Sequence, residues 1–188
     1  WGVDNVRLIC LAPPPPPPAC VASSIDDFEA GVSANWANVT GGLVSNNCGT
    51  NGSTGALYFN GSTRSATTND YVVGAGASIN FDIRFGTGSS PCENLDSGDD
   101  VVLEYSVDGG ASWESVATYA DPLFGTWTSV SVLVPDDART PSTRFRFSQP
   151  SFSGSTFDHW AIDDISISCA TPKQGQKGDV AMTTDMNE

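Results

Sequence analysis

Hydrophobic and polar positions alternate cleanly in three stretches of the chain: Ile79 to Phe85, Val101 to Val107, and Thr143 to Phe147, where Phe145 and Phe147 share one face. A period of two places every second side chain on one face of a pleated strand, so each stretch predicts a strand with one face turned to a core. Weaker alternation over Val21 to Phe28, Ala56 to Phe59, Val116 to Tyr119 and Trp127 to Val134 predicts four more, and the β-branched run Trp160 to Cys169 predicts a terminal one. The separators, such as Asp108-Gly109-Gly110 and Pro135-Asp136-Asp137, carry turn chemistry. No stretch has the 3.6-residue period of a long helix. The pattern therefore predicts an all-β fold, an antiparallel sandwich of about eight or nine strands.

One strand occurs twice. The terminal run reads WAIDDISISC, and the chain opens on WGVDNVRLIC, with Trp1, Asp4 and Cys10 matching Trp160, Asp163 and Cys169. Val3, Val6 and Leu8 answer Ile162, Ile165 and Ile167. Only one body lies between the copies. A lone strand can neither bury its apolar face nor pair its backbone groups. Residues 1–10, with Trp1, Val3, Val6 and Leu8 facing inward, are thus expected to complete another sheet, in an adjacent repeat or another copy. Residues 11–19 form a linker in which Pro13 to Pro18 favour polyproline II. Residues 20–169 are the sandwich, and residues 170–188 a polar tail without periodicity.

Cysteines sharpen this division. Six prolines span roughly 19 Å at 3.1 Å per residue, and a disulfide needs Cα atoms within about 7 Å, so Cys10 and Cys20 should not pair. Cys20 opens the body and Cys169 closes its last strand, which predicts a Cys20–Cys169 bridge; Cys48 and Cys92 are then most simply joined. Cys10 is left for an intermolecular or inter-repeat bond. Lys and Arg total 8 against 22 Asp and Glu, for a net charge of -14, which argues against nucleic acid or anionic membrane as partner. No apolar run reaches the ~20 residues of a spanning helix. Disulfides, and sequons at Asn38, Asn51 and Asn60, imply an extracellular, secreted chain that carries N-glycans.

Two local constellations call for a reading. Ser106 to Trp113 fits the S-x-D-x-G-x-x-W pattern of the Asp box, a hairpin turn in which Asp108 accepts backbone bonds and Trp113 packs beneath. Sialidases carry several such boxes; this chain has one. His159 is the sole histidine, so a two-His metal centre is excluded, and its place at the start of a strand reads as packing. No catalytic site emerges.

The order Asp26-Asp27-Phe28-Glu29, Trp36, Gly41-Gly42, Asn47-Cys48-Gly49, Ala56 to Phe59, Cys92, Asp100 with Val102 to Ser106, Arg144 to Pro150, and Trp160 to Asp164 resembles a reelin subrepeat. The resemblance covers about residues 24–169. It implies a jelly-roll β-sandwich used in tandem in extracellular proteins, a cysteine pair at Cys48 and Cys92, and often a bound calcium. Calcium takes six to eight oxygens, and the candidate ligands are Asp26, Asp27, Glu29, Asp99, Asp100 and Asp163. Asp163 leads because an Asp inside an apolar strand needs a partner; the alternative is that these are turn carboxylates. The expected function is a structural or interaction module in a tandem array or filament, its partners adjacent repeats or copies of itself. The alternative is a carbohydrate-binding module, with glycans as partners and Tyr71, Phe124, Phe152 or Phe157 as stacking platforms.

Overall fold

The computed structural model describes residues 15–169, apart from 53, 89 and 121. Among these residues eleven strands form: β1 (Ser23–Asp26), β2 (Trp36–Thr40), β3 (Gly42–Ser45), β4 (Ala56–Phe59), β5 (Arg64–Thr68), β6 (Ala77–Phe85), β7 (Val101–Ser106), β8 (Glu114–Tyr119), β9 (Thr128–Leu133), β10 (Arg144–Gln149) and β11 (Trp160–Cys169). They make two antiparallel sheets. One runs β3-β4-β11-β6-β9, with β1 also on β11; the other runs β2-β5-β10-β7-β8.

The strand that the sequence writes twice is the central one. β11 pairs with β6 along its length, while its other edge meets β4 at Trp160 to Ile162 and β1 at Ile165 to Ile167. A strand paired on both edges and buried on most of its surface reads as a nearly continuous apolar run. Within the six-stranded sheet Phe59 of β4 stacks on Trp160 of β11 at 3.9 Å, and between the sheets Phe81 of β6 meets Phe147 of β10 edge-on at 4.8 Å. The Phe81–Phe147 contact joins the two layers into one core.

Three of the eleven strands lie outside the eight stretches that the sequence pattern marked: β2, β3 and β5. In β5 the inward positions are Arg64, Ala66 and Thr68, all 0–1% exposed. Two of the three are polar, so the core face leaves no hydrophobic alternation to read. β2 and β3 are short edges in different sheets, and Gly41 between them turns the chain across at φ +66°. A Cβ there would lie 1.9 Å from the Thr63 carbonyl oxygen, so only glycine fits.

Cys20 is bridged to Cys169 with Cα atoms 5.8 Å apart, and Cys48 to Cys92 at 5.0 Å. Pro15 to Pro18 border a groove with Arg139, Thr140 and Pro141, so this half of the linker lies on the body. Cys10, Trp1, Val3, Val6, Leu8 and the tail 170–188 lie outside the described residues. No helix among the described residues is long and apolar enough to cross a membrane.

Candidate functional site

Each sheet has an outer face where charge gathers. On the six-stranded sheet, Asp163 of β11 stands opposite Asp82 of β6, and directly opposed residues of an antiparallel pair project from the same face. Beyond Asp163 the register slips by a bulge, and Asp164 takes a positive φ of 51° with its N–H donating to Asp163 Oδ1 at 2.9 Å. Partial desolvation, reinforced by Asp82, Asp27 and Glu29, raises the Asp164 carboxyl above the ordinary range. The loop before β4 closes over this group: Asn51 Nδ2 donates to Asp82 Oδ2 at 2.6 Å, and Thr54 donates through its N–H and hydroxyl to Glu29 at 3.0 and 2.8 Å. Asp163 is fully buried there.

The six carboxylates expected at a calcium site therefore divide. Asp27, Glu29 and Asp163 gather at the bulge with Asp82 and Asp164, which sequence reasoning left out. Asp26 is occupied elsewhere: its carboxylate accepts the N–H groups of Phe28 (3.1 Å) and Ser33 (2.9 Å) and the Trp36 indole N–H (2.7 Å), fixing the turn after β1. Asp99 belongs to a different trio with Asp96 and Asp158, whose ligand oxygens all lie within 4.8 Å of one another. In that trio Asp158 accepts the N–H groups of Asp96 and Ser153 at 2.9 and 2.6 Å. Asp100 stands at the start of β7, half-buried and outside both groups.

On the five-stranded sheet the charges are paired. Arg146 of β10 grips Glu104 of β7 with two bonds, Nε to Oε2 at 2.7 Å and Nη2 to Oε1 at 2.9 Å, and the Ser148 hydroxyl adds a third at 2.8 Å. The guanidinium carbon of Arg146 lies 4.1 Å above the Trp113 ring. Trp113 is held by the Asp box: Asp108 Oδ1 accepts the N–H groups of Ala111 and Ser112 at 3.0 Å each, and the indole N–H donates to the Gly110 carbonyl at 3.1 Å. The Ser112 hydroxyl and these backbone bonds hold the Asp108 carboxyl far below its usual range.

Beneath this surface sits Arg64, 1% exposed. Its Nε donates to Gly61 O (3.0 Å), Nη1 to Gln149 Oε1 (2.7 Å) and to the Asp158 carbonyl, and Nη2 to Gly154 O (2.9 Å) and Phe157 O (2.8 Å). All five donors are used. The Gln149 oxygen also accepts the Trp160 indole N–H at 3.0 Å, tying Arg64 to the core. Phe152 lies over the Arg64 guanidinium at 4.4 Å.

Among the expected stacking aromatics, Phe152 lines a groove here and Phe157 is 48% exposed, whereas Tyr71 and Phe124 pack against the core. Of the sequon residues, Asn38 is exposed, Asn60 is half-buried, and the Asn51 amide is engaged by Asp82. His159 is buried, its Nδ1 accepting the Glu93 N–H and its Nε2 facing the Ser155 carbonyl, both at 3.2 Å.

The fold is shared with the K1 cleaved adhesin domain of Lys-gingipain from Porphyromonas gingivalis, at 14% identity and TM-score 0.54 over 80% of this chain and 98% of that one. The K3 adhesin domain of the same protein matches at 14% and 0.53, over 76% and 96%. A variant of a family 29 carbohydrate-binding module matches at 16% and 0.52, over 79% and 92%. At such identities the likeness establishes the sandwich alone. The sequence itself carries more: residues 41–168 match the model of Reelin subrepeat B, and the chain belongs to that family of extracellular modules.

Proposed function

We propose that the protein is one unit of an extracellular array of β-sandwiches, in which residues 1–10 serve as the central strand of an adjoining sandwich and the polyproline segment spaces the two. The observation that carries this reading is the cysteine arithmetic of the duplicated strand. Cys10 is the counterpart of Cys169, Cys169 is bonded to Cys20, and Cys48 is bonded to Cys92. The four cysteines of the body are consumed, so any disulfide formed by Cys10 runs to another repeat or another copy. The place of β11 at the middle of its sheet supports the same reading, since a copy of a central strand needs neighbours on both edges. Within this reading a calcium site would lie at Asp96, Asp99 and Asp158, the group among the described residues whose ligand oxygens all lie within 4.8 Å of one another, since carboxylate oxygens suit a hard cation. Size analysis of native material with and without reductant tests the array: release of smaller units on reduction is expected, and a monodisperse monomer with a free Cys10 thiol would defeat it.

A second reading, glycan recognition, is favoured by the groove over β5, β7 and β10. A family 29 carbohydrate-binding module in complex with cellulohexaose has the same sandwich, with TM-score 0.50 and 15% identity over 78% of this chain and 89% of that one. The two readings are compatible, because the duplicated strand and the groove occupy different parts of the chain.

A further inference from the structure

The outer face of the five-stranded sheet carries a groove of about 570 Å³, lined by Ser62, Thr63, Ser65, Glu104, Arg146 and Phe152 among others. We propose that this groove binds a neutral oligosaccharide of hexose units, a proposal that rests on the glycan-recognition reading and gives it a site and a ligand class.

Three features of the lining select that chemistry. The first is the fixed ion pair. Bonds to Glu104 occupy Nε and Nη2 of Arg146, leaving Nη1 for a ligand. A carboxylate beside a guanidinium offers an acceptor and a donor side by side, which matches two neighbouring sugar hydroxyls, one donating to Glu104 and the other accepting from Arg146. Because Arg146 is clamped between Glu104 and the ring of Trp113, and Trp113 is itself held by the Asp box, little side-chain freedom remains to be lost on binding. The second feature is hydroxyl density: Ser62, Thr63 and Ser65 line the groove and can both give and accept bonds, while Ser148, whose proton goes to Glu104, can accept. The third is Phe152, whose ring is propped on Arg64 and supplies an apolar surface for the C–H face of a pyranose.

Charge excludes the acidic alternative. Arg64 donates to five oxygen acceptors and the charge of Arg146 is balanced by Glu104, so the groove holds no unbalanced cation for a carboxylate or sulfate, although Arg146 Nη1 can still donate to a neutral hydroxyl. An anionic ligand would have to displace Glu104 and would meet a chain of net charge -14.

The test is calorimetric titration of the full chain with cellohexaose, mannohexaose and hexagalacturonate. At least one neutral hexamer is expected to bind and hexagalacturonate to fail. Arg146→Ala, Glu104→Ala and Phe152→Ala are each expected to weaken binding about tenfold or more, with the melting transition retained as the check of folding. Ser65→Ala, which removes only a hydroxyl, provides a milder variant and should weaken binding measurably. Leu133→Ala, on the edge of the other sheet, should bind as the parent does. If all groove variants bind a neutral hexamer like the parent, the groove assignment is wrong while glycan recognition stands. Tighter binding of hexagalacturonate overturns the ligand class, and silence from all three sugars overturns both the proposal and the reading beneath it.

Discussion

On the six-stranded sheet carboxylates meet carboxylates: Asp163 faces Asp82, and Asp164 feels Asp82, Asp27 and Glu29. On the five-stranded sheet they meet guanidinium groups, Glu104 with Arg146 and Asp70 with Arg144. Both faces are built on regular antiparallel pairing, so the difference lies in what completes them. The paired face is electrostatically finished and offers hydrogen-bonding geometry. The acidic face concentrates like charge at a bulge, which with desolvation raises the Asp164 carboxyl. One sandwich thus carries a face of balanced ion pairs and a face of like charges.

The sharpest way to break the comparison is to remove the support of the paired face. Arg64→Met should lower stability by about 3–5 kcal/mol, because the Gln149 oxygen and four carbonyls lose their donor inside the fold; denaturant melts measure it, and a loss below 1 kcal/mol would mean that water replaces the guanidinium freely. Next comes the proposed calcium site at Asp96, Asp99 and Asp158. Calcium at a free concentration 100 times its dissociation constant should stabilise the protein by about 2.7 kcal/mol, and Asp99→Asn should abolish that gain; identical melts in calcium and chelator would defeat the metal proposal. Breaking the partly buried Arg146–Glu104 pair by Glu104→Ala should cost about 1.5–3 kcal/mol, because Arg146 and the Ser148 hydroxyl lose a charged acceptor; the same denaturant melts measure it.

The smallest effect is in pH. The folded-state pKa of Asp164 is raised, so the native state holds that proton more tightly than the unfolded chain, and its contribution to stability grows as pH falls through the raised value. Asp70 does the reverse: the Arg144 and Ser142 hydrogen bonds lower its pKa, and the stability it brings fades as pH falls. Asp164→Asn, which tolerates the positive φ, should flatten the first trend in chelator while leaving the second. An unchanged acid profile would show that neither desolvation nor the neighbouring carboxylates raise Asp164 in the folded state.

How much of this the sequence carried depends on which side chains faced inward. β6 and β7 bury apolar residues at every second position and β10 does so at Phe145 and Phe147, so their strands could be read directly. β5 buries Arg64 and Thr68 instead, and its place in the sheet was hidden by the polar residues that make the groove rigid. The acidic site was half legible. Asp163 stood out as a charge in an apolar strand, but Asp82 looked like any outward residue of an alternating strand, and only the β6–β11 register brings the two face to face. Asp26 misled because its three donors come from residues two, seven and ten positions onward, which spacing alone does not reveal. The duplicated strand was visible in full, since Trp, Asp and Cys recur at fixed offsets.

The central claim is that residues 1–10 belong to an adjoining sandwich, and non-reducing peptide mapping of the native material tests it most directly. The account predicts a peptide containing Cys10 linked to a cysteine from another repeat or copy, beside intact Cys20–Cys169 and Cys48–Cys92 bridges. A free Cys10 thiol, or Cys10 bonded to Cys20 or Cys169 of its own chain, would contradict it.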